Sequence, residues 1–579
     1  MSTVSTGKST EVPAGAPRRV VVIGGVAAGM SAATRLRRLD ERARITVVER
    51  GEHVSFANCG LPYYVGGVIE ERDALLLQTP ESLRARFNLE VLTSTEAVSI
   101  DRAARRVTIR RADGTHAAPE SLNYDALVLA PGARPVRPPI PGLERALTLR
   151  DVADADALAR AVTSGGPQGA PARSALVLGA GFIGLEVAEN LHRRGLAVTI
   201  VELADHVLPP LDPEMSGPVR QRLEAEGIAV RTGVSVAEAG PSTATLTDGA
   251  RVAADLLIAA VGVRPDSALA ERAGLDVDER GAIVVDDQQR TSDPAIWAAG
   301  DATVKRDAVD GRPALVPLAQ TANRHGRLIA DSIMGRGGRA APVLGTAIVG
   351  ILGLQVAMTG WSERRARAAG LEPVVVHIHP ADHATYYPGA CPMSLKLVME
   401  AGTGRILGAQ GVGADGVDKR IDIVATAMRG GLSGPELADL ELAYAPQFGA
   451  AKDPVNMLGL VADNALSGTT PTIQWHELDA ALSAGAACID VRGPEEYARG
   501  HVPGALNIPV DTLRDHLEDL PDRPLVVSCE VGLRGHVATR ILLQEGREAR
   551  NLDGGYRTWS AGGGQGARDH AVPSPMKEE

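Results

Sequence analysis

The chain has 579 residues, enough for about three or four domains of ordinary size. A hydrophobic share of 44%, a charged share of 23% and a net charge of −11 describe a soluble globular protein, and argue against a general nucleic-acid binder or a basic membrane-binding face. The four cysteines, Cys59, Cys391, Cys488 and Cys529, are too few and too widely spaced for a disulfide framework; they fit a reducing cytosol, so a cytoplasmic location is expected.

Residues 1–17 are rich in Ser, Thr, Gly, Ala and Pro, read as a disordered tail, and show no secretory signal. Residues 18–49 then read strand, Gly-rich turn, helix, strand: "RRVVVIGG", "VAAGMSAATRLRRLD", "RITVVER". Gly24 and Gly29 hold the outer positions of a phosphate-binding turn, but Val26 stands at the central one with Gly25 beside it, and Glu49 ends the second strand. On the helix, Arg35 and Arg38 lie three apart on one face, where they would meet phosphates; the same run also reads as a solvated helix face. In "SFANCGLPYYVGG" (55–67), Cys59 has no cysteine nearby, because Pro62 and Tyr64 occupy the positions a local dithiol would use.

The strand–turn–helix–strand pattern repeats at 173–202, now with a full GxGxxG at Gly179, Gly181 and Gly184 and with Glu202 ending the strand. No arginine follows in "LADHVLPP" to meet a 2′-phosphate, so NADH is expected over NADPH. Each repeat is followed by an apolar strand ending in glycine: "YDALVLAPGARP" (124–135) and "ADLLIAAVGVRPD" (254–266, with Gly262). "TSDPAIWAAGDA" (291–302) has no counterpart in the other half; a carboxylate at Asp301 would hydrogen-bond a ribityl chain or help position a flavin pyrophosphate. The uncharged run "GTAIVGILGLQVAMTGW" (345–361) falls short of the ~20 apolar residues of a membrane span and reads as a buried strand pair. Residues 340–460 read as mixed strands and helices, 461–473 as a linker, 474–565 as a compact α/β unit and 566–579 as a disordered tail.

Taken in order, residues 18 to about 460 resemble the pyridine nucleotide-disulfide oxidoreductase family. That resemblance implies an α/β chain with a discontinuous FAD-binding domain (18–150 and 270–335), an NAD-binding domain (151–269) and an α+β dimerisation domain (340–460) forming a homodimer. FAD would use Gly24, Gly25, Gly29, Glu49 and Asp301, and NADH would use Gly179, Gly181, Gly184, Glu202 and Gly262. The lone Cys59 is similar to that of the single-cysteine branch: coenzyme A-disulfide reductases, NADH oxidases and NADH peroxidases. The peroxidases carry a histidine in the first glycine loop, and "VAAGMSAAT" has none.

"FANCGLPYYVGG" resembles the coenzyme A-disulfide reductases, in which Ser55, Asn58, Arg35 and Arg38 would contact coenzyme A, with Lys452 meeting a phosphate. Tyrosines of "HATYYPGA" and "AYAPQFGAAKDPVN" would reach the neighbouring subunit's cysteine and donate to a departing thiolate; Tyr386 and Tyr444 are assigned this role, with Tyr387 the fallback. The Cys59 thiol is expected to have a lowered pKa, supplied by an electropositive pocket.

The C-terminal unit resembles a rhodanese. Cys529 opens the loop "CEVGLRG", whose backbone N–H groups would cradle a thiolate or persulfide, and Arg534 matches the loop arginine usual there; Cys391 and Cys488 read as structural. Together these imply NADH- and FAD-dependent reduction of coenzyme A disulfide, persulfide or polysulfide, coupled to a sulfur carrier and needing no metal, membrane or nucleic acid. The alternatives are an NADH oxidase working through a Cys59 sulfenate and a sulfur-trafficking or redox-sensing scaffold.

Overall fold

The run RVVVI forms the strand Arg19–Ile23, buried along nearly its whole length, as an inner parallel strand must be. It pairs in parallel with Arg44–Val48 on one side and Ala126–Leu129 on the other. Glu90–Leu92 and Ile296–Ala298 complete the five-stranded sheet at its two edges. Alternate side chains feed two cores. Val20 and Val22 pack with Leu36 of helix Ala27–Leu39 and Ile329 of helix Ala319–Ile333, while Val21 and Ile23 face Ile100, Val107 and Ile109 of a three-stranded antiparallel layer. The structure, a computed structural model, describes residues 17–112, 119–163 and 171–567. The two expected tails therefore lie outside the described residues, except at Pro17, Gly566 and Ala567; Ala567 exchanges backbone hydrogen bonds with His501.

The segment 291–302, which lacks a counterpart in the repeat, supplies the edge strand Ile296–Ala298 and returns the chain to the first sheet. The second βαβ unit consists of Ser174–Leu178, helix Phe182–Arg193 and Ala197–Glu202, with Leu256–Ala259 on the far side of the central strand.

The chain divides into two units, Met1–Val201 with Val234–Val343, and Glu202–Gly233 with Leu344–Glu579. In the second, the uncharged run at 345–361 folds as the antiparallel hairpin Ala347–Ile351 and Leu354–Gly360. The sheet continues through Ile406–Gly413, Met393–Glu400 and Pro373–Ile378, covered by helices Val417–Gly430 and Pro454–Leu466.

The segment expected as a linker, 461–473, departs from that reading. Its first six residues finish helix Pro454–Leu466, because Val455, Leu458 and Ala462 bury one helical stripe and Asp453 caps the N-terminus. Thr472–Ile473 already form the edge strand of the next sheet. That sheet is parallel, in the order Thr472–Ile473, Ala549–Leu552, Leu525–Ser528, Ala487–Asp490, Leu506–Asn507, with an apolar core on each face. Among the described residues no helix is long and apolar enough to cross a membrane.

Candidate active site

The two glycine turns are built alike. Gly24 and Gly179 have φ of 99° and 103°, and a Cβ at either would lie 2.1 or 2.5 Å from the carbonyl oxygen of Ala130 or Ala260. A Cβ at Gly29 or Gly184 would fall 1.9 or 2.1 Å from the oxygen of the first glycine of its own turn. The central position differs because its backbone is permissive: Val26 and Gly181, each the residue before its helix, have φ of −115° and −76°. Nothing lies within 4 Å of a Cβ at Gly181, which leaves the bare backbone open for a pyrophosphate.

Gly25 packs under Val54 and donates its N–H to Glu49 Oε2 at 2.7 Å, while Gly51 N–H donates to Glu49 Oε1 at 2.7 Å. Glu49 therefore braces its own loop at the position where a ribose would meet it. Glu202 accepts from the Ala204 N–H at 2.9 Å. Gly262, at φ 105°, accepts from the Val136 N–H at 3.0 Å and has open space over its Cα. Asp301 lies in the short turn Gly300–Ala302 that follows the edge strand. Lys305, which sequence reading did not single out, is buried beside it and donates to the carbonyls of Gly300 (2.7 Å) and Thr303 (3.0 Å). Burial pushes its ammonium down to about 8 against the pull of Asp301. Sterically enforced turns, open backbone and strand-end acids fit two dinucleotides.

Cys59 is exposed, in the single turn Asn58–Gly60 that leads into helix Leu61–Gly66. It is the one cysteine of its unit. Ser55, a non-glycine residue at φ 49°, donates its N–H to Gly25 O at 2.8 Å and ties the cysteine segment to the first glycine turn. Asn58 Nδ2 donates to Arg150 O at 3.4 Å.

Sequence reading missed Glu186, the charge that acts on this thiol. Tyr63 Oη donates to Glu186 Oε1 at 3.0 Å, and the two helices that carry them meet so closely that a Cβ at Gly66 would strike Asn190. Burial first, and then the charge of Glu186, push the Cys59 thiol up; burial and Glu186 likewise push Tyr63 to about 12. Within this unit, burial and Glu186 thus act against the expected lowering. The available signal was an acid inside the apolar helical run "GFIGLEVAEN".

The arginine run divides by role. Arg35 pairs with Asp331 at 2.9 Å rather than standing free for a phosphate. Arg37, buried, donates to the carbonyls of Asp40, Glu41, Ala43, Phe87 and Asn88. Arg38 is exposed. In the second unit, Tyr386 and Tyr444, 58 residues apart, share a 2.8 Å hydrogen bond between hydroxyls while remaining 74% and 48% exposed. The bond from Tyr386 raises the Tyr444 pKa. Tyr387 turns its ring edge to His383, and Lys452 is exposed.

Cys529 follows the strand Leu525–Ser528 with no exposed surface, and Gly532 N–H donates to its Sγ at 3.1 Å just before helix Leu533–Gln544. Arg534 makes a bidentate pair with Glu496 at 2.7 Å, which holds that carboxyl down at about 2. Glu496 was not legible as its partner. Of the remaining cysteines, Cys488 is buried with its thiol pushed up to about 12, and Cys391 donates to Gly389 O at 3.3 Å.

Residues 18–326 match the pyridine nucleotide-disulphide oxidoreductase family, 346–454 its dimerisation domain and 474–562 a rhodanese-like domain. The chain is 33% identical over 447 residues to the coenzyme A disulfide reductase of Staphylococcus aureus (strain JH9), covering 77% of this chain and 99% of that one. It resembles the crystal structure of reduced Bacillus anthracis CoADR-RHD with a TM-score of 0.91 and 43% identity, over 94% of this chain and 98% of that one. It also resembles an NAD-dependent persulfide reductase from A. fulgidus, with a TM-score of 0.87 and 40% identity over 93% and 100% of the two chains. FAD and a nicotinamide dinucleotide are the cofactors that such a pair of cradles serves, and the chain belongs to the pyridine nucleotide-disulphide oxidoreductase family, extended by a rhodanese-like domain.

Proposed function

We propose that the protein reduces a coenzyme A disulfide or coenzyme A persulfide at Cys59 with electrons from NADH, and that Cys529 carries sulfane sulfur for the same chemistry. The observation that carries this reading is the exposed Cys59 as the one cysteine of its unit: the second sulfur of its redox couple comes from the substrate. Gly24, Gly25, Gly29, Glu49 and Asp301 hold FAD, and Gly179, Gly181, Gly184, Glu202 and Gly262 hold the nicotinamide dinucleotide. The acid at 202, with no arginine in the residues just after it, favours NADH.

The Cys59 thiolate attacks one sulfur of the substrate, forming a mixed disulfide and expelling a coenzyme A thiolate, or hydrosulfide when the substrate is a persulfide. In a homodimer, the Tyr386–Tyr444 pair of one protomer gives the departing sulfur its proton at the Cys59 of the other. FAD, when bound, would supply two electrons taken from NADH as hydride, and with them Cys59 returns to the thiol and the second product is freed. Ser55, Asn58, Arg38 and Lys452 contact the coenzyme A portion. Arg35, engaged by Asp331, steadies the helix that carries Arg38.

Anaerobic NADH consumption tests the reading, together with the mass attached to Cys59 after partial turnover. Disulfide- or persulfide-dependent oxidation with a coenzyme A adduct on Cys59, lost by at least about 10³-fold in C59S, is expected. Oxidation that needs only oxygen, with one added oxygen on Cys59, would replace it with an NADH oxidase.

A further inference from the structure

A buried ionic chain runs through the second unit and ends at the sulfur loop. The Lys396 ammonium is fully buried among three carboxylates: Asp212 at 2.9 Å, Glu363 at 2.8 Å, and Glu214. These acids converge on one point, and that lysine is the cation they share. Glu214 passes the contact on, accepting from His377 Nε2 at 3.0 Å. On its other side the His377 ring donates from Nδ1 to Asp553 Oδ2 at 2.6 Å, and the His377 backbone N–H donates to Asp553 Oδ1 at 3.2 Å. His377 belongs to the edge strand Pro373–Ile378 of the antiparallel sheet, and Asp553 belongs to the rhodanese-like domain.

Asp553 opens the turn "DGGYR". A Cβ at Gly554 would lie 2.8 Å from the His377 Cβ, and one at Gly555 would lie 2.4 Å from Cys529 O. One side of the turn is thus pressed on the sheet and the other on the sulfur loop. Tyr556 N–H donates to Cys529 O at 2.7 Å, and Arg557 N–H donates to Glu530 O at 3.1 Å. Thr558 adds a second tie to the sheet through His379 Nε2, at 2.8 Å. We propose that His377 is a positioning residue for Cys529: from the dimerisation sheet it fixes the Asp553 turn, and the turn fixes the backbone that presents the sulfur. This rests on Cys529 being a sulfur carrier.

The chemistry of the pair suits the task. Asp553 and His377 are both almost wholly buried, so removing either leaves an uncompensated charge or polar group at the base of the turn. The groups facing His377 are Asp553 from the turn, Glu214 from helix Pro213–Ala225, Lys396 and, behind it, Glu363 and Asp212, with His379 and Arg557 nearby. Burial opposes the imidazolium, but Asp553 and then Glu214 outweigh it and hold the proton up to about pH 9.

The test is the rate at which inorganic polysulfide adds one sulfur to Cys529, read by peptide mass in the full-length FAD-loaded enzyme between pH 7 and 10.5. Taking the ratio of native to H377Q rates cancels the titration of thiol and polysulfide. It is expected to be tenfold or more at pH 7.5 and to close above pH 9. H377Q folded at the assay temperature and loading at the native rate would overturn the proposal, as would a ratio independent of pH. Should H377Q not fold, D553N, nearly isosteric, replaces it with the same slow loading expected. In the native enzyme alone, hydrogen exchange of the peptide spanning Asp553–Trp559, corrected for intrinsic pH dependence, is expected to accelerate through pH 9; unchanged protection would also overturn it. A native Cys529 that never gains sulfur refutes the carrier reading instead, and the exchange experiment still reports on the turn.

Discussion

At Cys59 the surroundings within its unit work against ionisation, since burial first and then the charge of Glu186 favour the neutral thiol. Replacing Glu186 by Gln removes the negative charge while leaving an oxygen to accept from Tyr63, so the Cys59 pKa is expected to fall. The pH profile of Cys59 alkylation by iodoacetamide is expected to move to lower pH in E186Q; an unmoved profile would show that Glu186 does not reach the sulfur. The tyrosine pair makes a second claim at this scale. Its two hydroxyls are 2.8 Å apart, so one donates to the other and the remaining proton points outward to a leaving group. The double substitution Y386F/Y444F is expected to lower kcat/KM for coenzyme A disulfide by about 10²-fold, the low end of general-acid effects. With an aryl disulfide whose leaving thiol is already acidic, the loss is expected to shrink several-fold, because that thiolate needs no proton. Equal losses with both substrates would assign the tyrosines to binding.

At the scale of elements, the four glycines pressed on backbone oxygens (Gly24, Gly29, Gly179 and Gly184) and the open Gly181 separate folding from binding. A Cβ at Gly184 would sit 2.1 Å from Gly179 O, so G184A is expected to destabilise its unit by about 1–3 kcal/mol in urea unfolding. At Gly181 the same methyl meets nothing within 4 Å. G181A is expected to cost less than about 1 kcal/mol in stability while weakening NADH binding at least tenfold in a titration, because the methyl occupies the space a pyrophosphate needs. This contrast was legible in the sequence as a motif, since the glycine spacing and the terminal acids encode a local geometry of one turn. The Val26 departure was legible as well, but its tolerance depends on a φ of −115° that only the folded turn reveals. Partners set by tertiary packing were not legible: Asp331 for Arg35, Glu186 for Tyr63 and Glu496 for Arg534 lie 296, 123 and 38 residues away in sequence. The linker reading of 461–473 failed for a related reason. Small residues in "VADNALSGTT" suggested loop, while the stripe of Val455, Leu458 and Ala462 begins upstream and carries the helix into it.

At the scale of the whole molecule, the buried network around Lys396 and His377 predicts how the second unit responds to pH. Glu214 and Glu363 have folded pKa values below the ordinary 4.5, because Lys396 outweighs their burial. The stability they contribute is complete above 4.5 and is lost as pH falls toward the folded values. His379, buried and kept neutral, is pushed down from 6.5 to about 3, so it too contributes fully above 6.5 and destabilises as pH falls from there. His377 runs the other way: raised from 6.5 to about 9, it contributes fully below 6.5 and loses that contribution as pH rises to 9. The opposed slopes place the network's greatest stability near pH 6.5. Between pH 6.5 and 9 the native enzyme is expected to lose stability steadily as the His377 imidazolium gives up its proton. Urea unfolding across that interval, followed by the near-UV signal of the tryptophans, three of which (Trp361, Trp475 and Trp559) belong to the second unit, measures the slope. In H377Q the slope is expected to flatten, since no group in the network then changes charge within the window. K396M, which strands Glu214, Glu363 and Asp212 without their cation, is expected to cost about 3–5 kcal/mol at pH 7 and to recover part of it as the carboxyls take up protons in acid. A native curve level from pH 6.5 to 9 would mean that His377 does not hold its proton against burial, and would remove the electrostatic tie between Asp553 and the sheet.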